Sequence, residues 1–97
     1  MGEDTARPSL PAGAQAALRE AFAAEVTERL PRIAALTDPT CDRETARRDV
    51  HTLASSAWVV GEPQISRLAR AVEDDLDGGP LAELVSALQA YDPEQAP

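Results

Sequence analysis

Apolar residues in this chain recur in steps of three and four, and no stretch alternates apolar with polar residues for long enough to make a strand. The clearest case surrounds the run RRDVHTLASSAWVVG, Arg47 to Gly61, where Ala46, Val50, Leu53, Ala57 and Val60 step by four, three, four and three. Such spacing is the buried stripe of an amphipathic helix. Alanine, leucine, glutamate and arginine, all abundant here, are good helix formers. The expected fold class is therefore all-α. A length of 97 residues makes one domain, and with only three aromatics (Phe22, Trp58 and Tyr91) its core must be aliphatic.

Helix breakers divide the pattern. A first helix is expected from about Ala12 to Leu36, with the stripe Leu18, Phe22, Val26, Leu30, Ile33 and Leu36. Pro31 falls inside it and should kink it, and Asp38-Pro39 ends it. A second helix runs from about Asp42 to Val60, and Gly61 is a natural left-handed stop. The third opens with Pro63 in its first turn and carries Ile65, Leu68, Ala69, Val72 and Leu76 inward. Gly78-Gly79 breaks it, and Pro80 starts a fourth with Leu81, Leu84, Val85 and Leu88 inward. Four amphipathic helices with short connections predict an up-down-up-down four-helix bundle over residues 12–91. Residues 1–11, mixed and aperiodic, are expected to be a mobile arm, and 92–97 a flexible tail.

A formal charge of −8 argues against nucleic acid and against anionic membranes, which such a surface repels. No apolar run approaches the roughly 18 residues needed to span a bilayer, and the N-terminus lacks a signal-peptide pattern. Cys41 is the only cysteine, so no intramolecular disulfide is possible and a reducing cytoplasm is expected. It sits in an expected turn without a basic neighbour, which makes it inert. Glu73, Asp75, Asp77 and Gly78 imitate the start of a calcium loop, but the twelfth position, which must supply a bidentate glutamate, is Leu84. A lone histidine cannot form a two-histidine metal site, so no metal is expected on the chain.

That histidine, His51, lies one residue from the second helix's stripe, about 100° around the axis, and should flank the core facing solvent. Imidazole held outward on a rigid helix is a usable nucleophile or base near neutral pH. Geometry brings it a partner. A tight turn joins the second and third helices, so the two should lie antiparallel. His51 is nine residues before Val60 and Glu73 ten after Pro63. Both then stand about 14–15 Å from the turn, at 1.5 Å per residue. Glu73 also flanks its own stripe, next to Val72, so the side chains can meet on the bundle's rim. A carboxylate accepting from one ring N–H fixes the tautomer and leaves the other nitrogen free to attack.

With these residues in place, the chain resembles the histidine-containing phosphotransfer (HPt) domains of two-component signalling. Their pattern H-x-L-K-G-S-A-x-x-x-G is matched at His51, Leu53, Ser56, Ala57 and Gly61. Glu73 stands where related domains, including those of chemotaxis histidine kinases, carry a glutamate that bonds the phosphorylatable histidine. The resemblance is good from Arg47 to Glu73, looser over Leu18 to Leu36, and generic elsewhere. It implies a monomeric phosphoryl carrier in which His51 exchanges a phosphoryl group with a response-regulator receiver domain or a histidine kinase. Such a carrier depends on its partner's catalytic machinery, and the magnesium belongs to the receiver.

Two positions depart from the family. Its lysine three residues after the histidine is Ala54 here, and the following glycine is Ser55. Ser55, one turn from His51, is placed either to donate to a phosphate or to obstruct docking. Arg47, one turn before His51, and Arg70, one turn before Glu73, are candidates to replace the missing charge; ordinary surface pairing with nearby acids is the alternative for both. Trp58, two turns along from His51, either caps the core from its edge or anchors a partner. The departures also keep open a non-transferring module that docks a receiver or kinase. A helical scaffold in which His51 is incidental is the third alternative.

Overall fold

A computed structural model describes residues 11–95. Among them are four α-helices and no strand: α1 (Ala12–Ala34), α2 (Arg43–Val59), α3 (Pro63–Asp74) and α4 (Leu81–Ala90). Contacts between α1 and α2, α2 and α3, α3 and α4, and α4 and α1 close these into a ring of neighbours. Phe22, Val26 and Ile33 of α1, Val50 and Leu53 of α2, Ile65 and Val72 of α3, and Leu84 and Leu88 of α4 fill the centre. Each expected stripe supplies this core, though Leu30, Val60, Leu68, Leu76, Leu81 and Val85 are half-buried at its margin, and Leu18 is half-buried in the groove between α1 and α2. Phe22 and Tyr91, the residue that follows α4, form a T-shaped pair with centroids 4.9 Å apart.

The first helix ends two residues earlier than its periodicity suggests. Ala35–Thr37 form a 3-10 turn, so Leu36 is buried but not α-helical. The Ala35 N–H is shared between the carbonyls of Ile33 and Pro31, a tightening common where a helix runs out. Pro31 itself lies inside α1 on the exposed side. Asp42 is not in α2 but caps it. Its carboxylate accepts from Thr45 N at 3.1 Å and from Thr45 Oγ1 at 2.7 Å, and these bonds hold its pKa below the ordinary value. Pro80 likewise precedes α4 as its cap residue. The expected arm falls on residues 1–10, outside those described, and on Pro11. In the segment after α4, Arg19 Nε donates to the Pro93 carbonyl at 3.1 Å, joining it to α1.

Two glycines carry the turns around the site. Gly61 has φ 85°, and the chain leaves α2 by a Schellman turn: Glu62 N donates to Ala57 O at 2.8 Å and Gly61 N to Trp58 O at 3.2 Å. Pro63 then begins α3 directly. After α3, a Cβ on Gly79 would lie 2.7 Å from the Asp75 carbonyl and 2.8 Å from that of Ala71, so only glycine lets α4 return this closely.

Candidate functional site

Three cross-links fix how α2 and α3 lie. Ala57 is joined to Glu62 near the turn, Ala54 to Ser66 in the middle, and His51 to Glu73 at the far end. These partners run in opposite order along the two helices, which sets the pair antiparallel. In the middle link the buried Ser66 hydroxyl donates to the Ala54 carbonyl at 2.8 Å. Val50, Leu53, Ala69 and Val72 pack the space beneath and are completely buried.

On this platform His51 Nδ1 stands 2.8 Å from Glu73 Oε2. A carboxylate can only accept, so Nδ1–H donates, and in the neutral imidazole Nε2 keeps its lone pair. The imidazole side chain is 64% exposed and the Glu73 side chain 26%. The ring therefore projects into solvent while its partner is half sunk against the helices.

The remaining sequence candidates separate. Arg47 joins the pair: its Nη1 donates to the main-chain carbonyl of Glu73 at 3.1 Å. Glu73 lies in the last turn of α3, whose carbonyls have no partner within the helix, so the guanidinium acts as a C-terminal cap. Arg70 does not reach Glu73; its Nε points at the Ser66 hydroxyl, 3.4 Å away. Ser55 is exposed one turn beyond His51. Trp58 is 39% exposed, as is Val59, which sets the indole at the surface rather than in the core. A shallow groove of about 220 Å³ runs between α1 and α2; Val59 and Ser55 line it with Leu18, Phe22, Glu25 and Ser56 among others, and Trp58 does not. Ala54, at the position of the family lysine, is 2% exposed and faces α3.

Sequence reasoning missed two polar residues. Asp49 is 2% exposed, and its carboxylate takes Arg29 Nη1 at 2.8 Å, Arg32 Nε at 2.6 Å and Arg32 Nη2 at 3.1 Å. The Arg32 hydrogen bond, then that of Arg29, holds its pKa below the usual carboxylate range against the opposing effect of burial. The available signal was the Arg29, Arg32 spacing, one turn apart on the same side of α1. Ser66 is the other, and nothing in its neighbourhood marked it as buried. Asp75, in the false calcium loop, instead accepts from the backbone N–H groups of Asp77 and Gly78 as a turn. Among the described residues no three metal-ligating side chains cluster, and no helix is long and apolar enough to cross a membrane.

A family model described as Hpt domain matches residues 17–93, most of the chain and all four helices but the first five residues of α1. No curated protein and no solved structure gives a match.

Proposed function

The chain belongs to the Hpt domain family, the phosphotransfer modules of two-component signalling, and from that premise we propose that it relays a phosphoryl group through His51. The observation that carries this reading is the 2.8 Å contact of Nδ1 with Glu73 on a ring that is otherwise exposed. The Nε2 lone pair attacks phosphorus of a receiver's aspartyl phosphate. The Nε2–P bond forms, the P–O bond breaks, and the aspartate leaves as a carboxylate. As the new bond forms the ring gains positive charge, which Nδ1–H shares with the Glu73 carboxylate. Glu73 thereby orients the ring and favours the state with charge on it. Magnesium bound by the receiver supplies the remaining electrostatics of in-line transfer, and the reverse reaction passes the group on.

In this reading the protein is an up-down-up-down bundle acting as a cytoplasmic monomer, docking receivers or a kinase through the α2 face around His51. Trp58 and Ser55 belong to that face. The test is incubation with a panel of phosphorylated receiver domains, followed by assay of acid-labile phosphate. Wild type takes label, His51→Gln takes none, and Glu73→Gln labels more slowly with its fold intact. Label that survives His51→Gln sinks the reading.

A second reading is favoured by Ala54 and Ser55. Ala54 presents no charge to the surface, and Ser55 adds bulk where the family leaves room. Those two positions suit a module that docks a receiver without transfer. Receiver binding with no phosphate on His51 identifies it.

A further inference from the structure

Phosphorylation of His51 would add about −1.5 to −2 charges, by analogy with other phosphorylated side chains, on Nε2, across the imidazole from the Glu73 carboxylate. Some cation must offset that repulsion, and the family's lysine position cannot supply one. Ala54 is buried against α3, its carbonyl engaged by Ser66.

The nearby arginines are not equivalent. Arg43 is committed to Asp77 at 2.7 Å, at the far end of α2. Arg48 leans toward Glu44, 3.9 Å away. Arg70 turns its Nε to Ser66. Arg47 alone of these four is bonded to a member of the His51–Glu73 pair, through the Glu73 carbonyl at 3.1 Å. It lies four residues before His51, so the two side chains are neighbours on one face of α2. Ser55, four residues after, continues that face and is also exposed. One residue, Glu73, thus holds the imidazole with its side chain and the guanidinium with its backbone. That arrangement uses one of the five guanidinium donors.

We propose that Arg47 binds the phosphoryl group of phosphorylated His51, taking the part of the absent lysine. The claim rests on the carrier reading of His51 and adds the anion site that makes the product tolerable. The tether to Glu73 holds the guanidinium on the residue that also holds the imidazole, one helical turn from His51 along α2, and its planar fork suits two phosphoryl oxygens.

The test uses the full chain and phosphoramidate as donor: Nε2 forms the new bond to phosphorus, the donor's P–N bond breaks, and ammonia leaves. Phosphorus NMR then follows the phosphoryl resonance across a pH titration. A nearby guanidinium favours the dianion, so Arg47→Gln raises the phosphoryl group's apparent pKa by about half a unit, a threefold change in proton affinity. Arg47→Lys gives a smaller rise. Arg48→Gln, which removes the same charge from the next residue, shifts the titration by less, because that guanidinium leans toward Glu44 and is not tied to Glu73. Thermal melts confirm that the variants fold, as expected for exposed side chains. Equal shifts in Arg47→Gln and Arg48→Gln, or no shift in either, overturn the assignment while leaving the carrier reading intact. A wild type that takes no phosphate on His51 from phosphoramidate or from receivers removes both.

Discussion

Asp49→Asn removes the negative charge from the most buried ionisable group among the described residues. Asparagine keeps the shape but turns one acceptor into a donor, facing either Arg32 Nε or the shared Arg29 and Arg32 contact. At least one of three ion-pair hydrogen bonds is lost outright, and the others keep a charged donor but lose the charge on the acceptor. Such bonds are each worth about 1.5–3 kcal/mol net. The loss is softened because the Arg29 and Arg32 side chains are 25% and 43% exposed and can take water instead. The expected cost is about 2–3 kcal/mol in total, or roughly 10–20 °C in melting temperature for a domain of this size. Its pH dependence has a definite sign. The folded pKa lies below the unfolded value of about 3.9, so the pair's contribution is complete above that value and is lost as pH falls through the folded pKa. Melts of wild type and Asp49→Asn should therefore differ widely at neutral pH and converge in acid. A difference within about 3 °C at neutral pH, or one that does not shrink on acidification, would refute the role given to this carboxylate.

Ser66→Ala deletes the hydroxyl bond to Ala54 but leaves that carbonyl its partner within α2, so urea unfolding should show a loss of only about 0.5–1.5 kcal/mol. An unchanged midpoint would mean the link adds nothing to the α2–α3 seam. Trp58→Ala should weaken binding of a cognate receiver by about 1–3 kcal/mol in titration calorimetry, because an exposed tryptophan on the helix that bears His51 is a typical contact anchor. The same variant should melt close to wild type; a large drop in stability would assign the indole to packing instead.

Helix existence was legible because apolar spacing records which face is buried, and Gly61, Pro63 and Gly79 mark places where the backbone has few alternatives. Helix ends were less so. Leu36 continues the apolar stripe past the point where hydrogen bonding changes to the 3-10 type, since periodicity reports burial and not bonding. The His51–Glu73 contact could be derived by counting, as a short turn leaves an antiparallel pair almost no freedom of register. Arg47 was visible as a neighbour of His51, but its acceptor is a main-chain carbonyl, which every residue has and no sequence pattern distinguishes. Asp49 was hidden for another reason. A single acid next to a stripe reads as solvated unless the cations that neutralise it are known to lie opposite, and Arg29 and Arg32 come from a different helix.

The bond between His51 and Glu73 is half open to water, and exposed ion pairs and hydrogen bonds of that kind contribute little stability. Its geometry must therefore be imposed from below. Gly61 and the Schellman bonds fix where α3 begins relative to α2, Ser66 ties the helices at mid-height, and buried Val50 and Val72 set their separation beside the pair. Arg47 then closes the last turn of α3 onto α2. A histidine held this way stays reachable by a partner domain while its tautomer is set in advance. Burial would have secured the same hydrogen bond more strongly, but it would have cost access to Nε2. Placing the ring on the rim and the constraints beneath it satisfies both demands, and it explains why the two bonds that brace the pair, Ser66 to the Ala54 carbonyl and Arg47 to the Glu73 carbonyl, run from side chain to backbone across two helices.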